Sequence, residues 1–496
     1  MRDFLKSFRH DVSLLSWQRA GGSCQMTDDR LNWKTRVGFG AGDLAQNLLV
    51  SAVGTYMLFF CTDVVGLAPA TVATMFIVVQ LADILWNPFV GVLIDRHNPP
   101  WGKYRSYLLL AGVPLAVFAV LCFSCPFGGA FRAFHAYVAY AGFMFLFALV
   151  NVAYGALNAS LSRDTDEITV LTSVRIFLAN AGCLAAMAGV PLLVAVLGGG
   201  HEGRVPMPWR MAVFMGCGML PSFVFMPLFP VLRRLCGKKG LFYVFGAVAV
   251  VGMAALYALS RIGRVADRPA LICAAQFVKA TGIIVATGHM WALVPEVITY
   301  SEHRTGRRVS GIVNAVTGVF FRVGMAFGRI VPGLVLAWTG YRAVPSERGA
   351  SLPTEPRVWL WSMVILAAVA VAFLVFAFAY AKERVVMDAA DSARVRPSDI
   401  WREFRGNAPL RIIALYFVAA FAMISVGNAS GAYFMNGLDV QPPLAQEGIR
   451  WLVCVIPAML LAVAATAFAR YPLDDETVAR LNRTILRRAR RTSSPA

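Results

Sequence analysis

Charge is scarce in this chain. Of its 496 residues only 15% are Asp, Glu, Lys or Arg, and acids are the rarer sign, 27 against 46 bases, for a net charge of +19. A soluble domain carries about 25% charged residues, so a water-soluble fold is excluded. A disordered chain is excluded by the same shortage, since disorder goes with high charge and low hydrophobicity. Nucleic-acid binding needs basic residues gathered on exposed surface, whereas here they punctuate long apolar runs. No GxxxxGK[ST] occurs, which removes the phosphate-cradling loop that would couple the chain to ATP. The nine cysteines are scattered, and their single CxxC, Cys122 and Cys125, has no second pair to complete a four-ligand zinc site. Arg2, Lys6, Arg9 and Asp11 break any apolar signal-peptide core.

What the chain has in abundance is apolar sequence: 58% of residues are hydrophobic, and the mean hydropathy is +0.63. The fold class expected is therefore an all-α polytopic membrane protein. A helix needs roughly 20 apolar residues to cross the hydrocarbon core, and twelve such runs are readable, near 37–60, 70–94, 106–126, 134–158, 172–198, 209–232, 240–260, 269–295, 309–339, 357–381, 408–436 and 449–470. Most of the Lys and Arg residues fall in one alternate set of connections and at both ends, which places both termini in the cytoplasm. The organisation expected is a leader over 1–35, with Met1 or Met26 as start, a first helix bundle over 36–200 holding spans 1–5, the remaining spans 6–12 over 201–475 with a charged cytoplasmic loop at 382–408, and a basic tail over 476–496. Phe4, Phe8, Val12 and Leu15 could line one face of a surface helix in the leader.

Ionisable residues inside the spans carry the functional signal, because each costs about 2.5–3.5 kcal/mol at mid-bilayer and persists only when paired or facing water. Asp43, Asp83, Arg175 and Arg322 come from four separate spans and could converge on one aqueous cavity. Carboxylates accept from paired hydroxyls and guanidinium donates as a fixed fork, a combination that suits a polyhydroxylated solute. Lys279 and Arg329 read as structural ion pairs or snorkelling groups. The acidic run Asp164, Asp166, Glu167 could chelate Mg²⁺ in a membrane-embedded transferase, yet no second acidic cluster completes it.

These residues sit in recognisable company. Gly38-Phe-Gly-Ala-Gly-Asp43, Thr62-Asp63-Val-Val-Gly66, Asp83-x-x-x-Asn87-Pro88, Gly91-x-x-x-Asp95-Arg96, Trp101-Gly-Lys-x-Arg105, Leu171-x-Ser173-x-Arg175 and Glu296-x-x-x-Tyr300…Gly306-Arg-Arg308 resemble the glycoside–pentoside–hexuronide:cation symporters of the major facilitator superfamily. The likeness runs from residue 33 to about 485. It implies two pseudo-symmetric six-helix bundles in a bacterial inner membrane, alternating access, no enzyme activity, and no cofactor beyond a coupling H⁺ or Na⁺. It implies a monomer in the lipid bilayer carrying a small polar solute, a sugar, and having no nucleic-acid partner. A lysolipid or similar amphiphile is the other cargo that a superfamily member of this kind could take.

The resemblance also implies roles. Asp43, Asn151, Arg175 and Arg322 match solute-contacting positions, and Asp83 and Asn87 match cation-coupling positions. Asp95, Arg96, Arg105, Glu296, Arg307 and Arg308 are expected to latch the cytoplasmic gate. Three departures bear on mechanism: Asn87 and Asn151 stand where the family often has Asp, and Gly155 where it has an aromatic platform, with Trp86 and Tyr154 next to changed positions. Two lost carboxylates weaken a Na⁺ site, so H⁺ is expected ahead of Na⁺. The motifs also fall out of order, as though helices ran 1–5, 8–11, 6–7, 12 of the family arrangement, which predicts that the sixth span packs where the family's eighth lies; the alternative is that spans 6 and 10 are too generic to assign and the order is less disturbed.

Overall fold

The computed structural model describes residues 31–474, apart from 97–100, 162–164, 199–206, 306–309, 343–354, 382–403 and a few single positions, and part of 476–484. The leader, the 382–403 part of the charged loop, Arg307, Arg308, Asp164 and the end of the tail therefore lie outside the described residues, as do the side chains of Asp95, Arg96, Asp166 and Glu167.

Among the described residues ten helices are long and apolar enough to cross a membrane, and two shorter apolar helices accompany them, Ser106–Cys122 and Trp209–Phe225. The twelve expected spans are thus present. In chain order the helices are α1 (Trp33–Phe59), α2 (Pro69–Arg96), α3 (Ser106–Cys122), α4 (Phe131–Leu161) and α5 (Thr165–Leu197). The run Met207–Ile262 is broken at Gly237, whose φ of 67° only glycine adopts without strain. It forms two helices, α6 (207–236) and α7 (238–262), with no loop between them. Then come α8 (Pro269–Thr287), the short α9 (Leu293–Thr305), α10 (Ser310–Trp338), α11 (Pro356–Tyr380), α12 (Ala408–Met435) and α13 (Pro443–Ala469). Their outward faces carry large apolar side chains, among them Leu85, Phe89, Phe134, Leu235 and Trp338, in positions a water-soluble protein would bury.

Lipid tails are as apolar as the helices, so helix association rests on close packing rather than on expulsion of water. Small residues supply it. A methyl group on Gly182 of α5 would lie 2.4 Å from the Leu44 carbonyl oxygen of α1, and one on Gly282 of α8 would lie 2.2 Å from the Ala249 nitrogen of α7.

The packing follows space rather than sequence. α1 packs on α5, α2 on α4, and α3 on α4, and the helix that joins them is α11, the tenth span, which packs against α1, α3 and α5. Trp359 of α11 is fully buried and stacks on Phe123 at 6.1 Å, with the Phe59 and Phe60 rings tilted against it at 5.7 and 5.9 Å. The second group contains α6, α7, α8, α10, α12 and α13, in which α10 packs on α12 as α5 does on α1. Between the groups, α5 meets α6, α2 meets α10, and α1 meets α12. A sequential bundle would place the sixth span in the first group. Here the tenth fills that place, the arrangement that the out-of-order motifs predict.

Candidate functional site

Two ion pairs form near mid-depth, one within the first bundle and one between the bundles. Asp43 and Arg175 lie about ten residues, or about 15 Å, inside α1 and α5. Arg175 donates from Nε to Asp43 Oδ2 at 2.9 Å. Its guanidinium also lies 5.1 Å from the centre of the Tyr154 ring on α4. Tyr154 in turn stacks on Phe39 at 4.7 Å and donates its hydroxyl to the Phe39 carbonyl. Gly42 makes this possible, because a methyl group there would lie 2.7 Å from the tyrosine ring. One face of α1 thus supplies the acid, the stacking ring and the gap that receives Tyr154.

The second pair joins the two bundles. Arg322 of α10 donates from Nη1 to Asp83 Oδ2 of α2 at 2.8 Å. The other carboxylate oxygen, Asp83 Oδ1, is buried without a hydrogen-bond partner, and so is Asn87 Oδ1 one turn along the same helix. Asn87 spends its amide on the Asp83 carbonyl, 2.6 Å away. Two unsatisfied acceptors side by side are costly unless a proton or cation is sometimes there.

The four mid-membrane residues expected to gather round one solute are therefore divided in this state into two self-neutralising pairs. The carboxylates are the more hidden members: side-chain exposure is 13% for Asp43 and 2% for Asp83, against 28% for Arg175 and 23% for Arg322. Asn151 lies half-buried on α4, and a methyl group on Gly155, one turn further, would meet nothing within 4 Å. Tyr154 does not replace the platform missing at 155, because it is fully buried beneath Arg175. Trp86 is tied to α4, donating to the Phe145 carbonyl at 3.2 Å and packing on that ring.

Further along, toward the face opposite the termini, more residues clasp across the bundles. Arg329, two turns beyond Arg322 on α10, donates to Tyr140 of α4 at 2.6 Å and touches Met144 Sδ at 3.3 Å. At the helix ends Tyr341 donates to Asp63 at 2.7 Å, Thr62 meets the Tyr433 hydroxyl at 2.8 Å, and the two tyrosine rings pack edge to face at 5.1 Å. All four of these end residues are buried. Thr62 and Asp63 stand in the Thr62-Asp63-Val-Val-Gly66 motif, from which no role follows for them. An acid closing an apolar span was the available signal.

The expected gate residues that are described make contacts within their own bundles. Arg105 lies over the Phe378 ring of α11 at 4.6 Å. Glu296 on α9 accepts from Lys238 at 2.7 and 2.9 Å and from the Tyr471 hydroxyl at 3.1 Å, tying α9 to the start of α7 and the end of α13. Lys279 is buried inside the second bundle, where a methyl group on Gly252 of α7 would touch its backbone. Among the described residues no group of three His, Cys, Asp or Glu is placed to hold a metal ion.

A family model described as MFS/sugar transport protein matches residues 38–209, 207–354 and 344–438, nearly the whole span of the bundle. The chain belongs to that family. Within it, this family member is 31% identical over 407 residues to the uncharacterized symporter YnaJ of Bacillus subtilis, covering 65% of the present chain and 87% of the relative. It is 25% identical over 426 residues to the isoprimeverose transporter of Lactiplantibacillus pentosus, covering 69% and 88%, and 23% identical over 432 residues to the glucuronide carrier protein homolog of Escherichia coli, covering 71% and 92%. These matches place the chain among the glycoside–pentoside–hexuronide:cation symporters of the major facilitator superfamily. It is a multi-pass membrane transporter, not an enzyme, of the sugar–cation symport type.

Proposed function

We propose that the protein couples entry of a proton to entry of a sugar or glycoside across a bacterial inner membrane, with both termini in the cytoplasm and no bound cofactor. The observation that carries the reading is the Asp83–Arg322 pair, a buried carboxylate with one oxygen held by the opposite bundle and the other unpartnered. A proton on Asp83 removes the charge that holds Arg322. The guanidinium then becomes available to solute, and one tie between the bundles is released. Sodium fits this site less well than a proton does. It needs several hard oxygens carrying net negative charge, and here the single carboxylate is already matched by a cation, with amides at Asn87 and Asn151.

Asp43, Asn151, Arg175 and Arg322 contact the solute in this reading, and Asp83 with Asn87 forms the coupling site. In this reading the buried cluster of Asp63, Tyr341 and Tyr433 closes the end opposite the termini, and in that state the solute enters the site from the side that bears them. Alternating access then consists of the two bundles rocking about the centre. The names of the isoprimeverose and glucuronide relatives support a sugar as cargo. The protein works as a monomer, since each bundle finds its partner within one chain.

The test is uptake into proteoliposomes from a panel of sugars and glycosides under an imposed pH gradient, an imposed Na⁺ gradient, or neither. Accumulation driven by the pH gradient and abolished by a protonophore is expected. Accumulation driven by Na⁺ alone would overturn the coupling ion, and absence of any flux would overturn the symporter reading.

A further inference from the structure

Most of α1 is buried, yet one face of it stays half-exposed. Asp43, Asn47, Ser51 and Gly54 make up that face at helical spacing, whereas Gln46, Leu49 and Val53 between them are buried. The stripe begins at the ion pair with Arg175. It ends at Gly54, where a methyl group would lie 3.7 Å from Nη2 of Arg329 on α10. It therefore looks across to the opposite bundle rather than out to lipid. From Asp43 to Ser51 it runs roughly 12 Å along the helix.

A thiol from α5 lies beside the stripe. The close approach at Gly182, where a methyl group would lie 2.4 Å from the Leu44 carbonyl oxygen, brings the next residue, Cys183, onto α1. Ser51 donates its hydroxyl to Cys183 Sγ at 3.2 Å, and Cys183 donates to Asn47 Oδ1 at 3.6 Å. Asn47 in turn donates from its amide to the Asp43 carbonyl at 2.8 Å. The hydroxyl proton, the thiol proton and one amide proton are thus spent inside the protein. What the stripe keeps is acceptors. Arg175 holds Asp43 Oδ2 and leaves Oδ1, and Asn47 Oδ1 and Ser51 Oγ retain lone pairs. An acceptor-rich, uncharged surface that continues from a carboxylate fits hydroxyl donors. Polar groups that only glued α1 to α5 would sit wholly inside the seam, whereas Asn47, Ser51 and Cys183 all keep exposure.

We propose that Asn47 and Ser51 form an uncharged solute subsite that continues the site from Asp43 toward Arg329 and accepts hydrogen bonds from solute hydroxyls, with Cys183 holding the two side chains in place. This rests on the sugar-symport reading and adds residues to that same site. Cys183 is a positioning residue, and its thiol borders the path that the solute takes.

The test combines uptake with alkylation by N-ethylmaleimide in proteoliposomes. The probes are methyl β-D-xyloside, methyl β-D-glucoside, methyl β-D-galactoside and cellobiose, and mass spectrometry follows Cys183. Alkylation of Cys183 is expected to stop uptake, because the adduct fills the path. A carried probe at about ten times its KM should slow that alkylation by about tenfold, by mass action on one site. Cys183→Ser, which keeps a donor and an acceptor at that position, should make uptake insensitive to the reagent. Asn47→Leu removes one neutral hydrogen bond and should raise KM by roughly threefold to tenfold with the maximal rate little altered. A lower rate at unchanged KM would make Asn47 structural and overturn its role. Full uptake by protein alkylated at Cys183 would overturn the proposal and leave symport standing. So would alkylation at one rate with and without a carried probe, or a Cys183 that the reagent does not reach in a transporting protein. No flux of any probe would remove the sugar-symport reading itself.

Discussion

Asp83 and Arg322, 239 residues apart, meet at 2.8 Å across the boundary between the two bundles. Breaking one side of a buried pair leaves an uncompensated charge and costs about 3–5 kcal/mol, whereas removing both sides together is often close to neutral. Arg322→Ala is therefore expected to lower the thermal unfolding midpoint in detergent well below that of the double variant Asp83→Asn with Arg322→Gln. Equal midpoints would mean that the pair contributes nothing to holding the bundles.

The buried cluster at the opposite end gives a second prediction. Tyr341 holds the Asp63 carboxylate at 2.7 Å, and a hydrogen bond to a charged group contributes about 1.5–3 kcal/mol. Tyr341→Phe should shift the population toward the state open at that end by at least about tenfold. A cysteine placed in the cluster and probed with an impermeant maleimide reads the shift, and unaltered labelling would show that the contact does not gate.

A third prediction concerns rocking. A methyl group on Gly333 of α10 would lie 2.9 Å from Cβ of Ala73 of α2, between the bundles in the half away from the termini. Gly333→Cys with Ala73→Cys should form a disulfide once the two helices move apart by about 0.6–1 Å, since disulfide Cβ atoms lie about 3.5–4.5 Å apart. Transport should stop on oxidation and return on reduction. Full transport by the crosslinked protein would exclude bundle separation at that level.

A fourth tests the packing. Gly282→Val forces side-chain atoms into the backbone of α7, 2.2 Å from the Ala249 nitrogen. Overpacking of this kind costs about 1–3 kcal/mol or more. The expected result is a lower unfolding midpoint in detergent, and no change would contradict the close approach of α7 and α8.

Much of this was legible in the sequence, for reasons that differ between residues. Asp43, Asp83, Arg175 and Arg322 stood out because ionisable groups in apolar runs are expensive, and the tenth span's place in the first bundle followed from the order of motifs. Which acid meets which base was not legible. That depends on how α1 packs on α5 and α2 on α10, and no local pattern encodes a contact across hundreds of residues. Tyr140, Tyr341 and Tyr433 were missed because a tyrosine near a span end also reads as an interfacial anchor. Arg329 reads as structural from the sequence, and no local pattern places it against a phenol and a thioether of α4 across the bundle boundary.

The central claim is that protonation of Asp83 couples the ion gradient to solute movement. Its most direct test compares wild type with Asp83→Asn in proteoliposomes, measuring solute accumulation under an inward pH gradient alongside solute exchange without one. The account predicts that the variant keeps exchange but no longer accumulates solute above the outside concentration. Accumulation equal to wild type would contradict it and remove Asp83 from coupling.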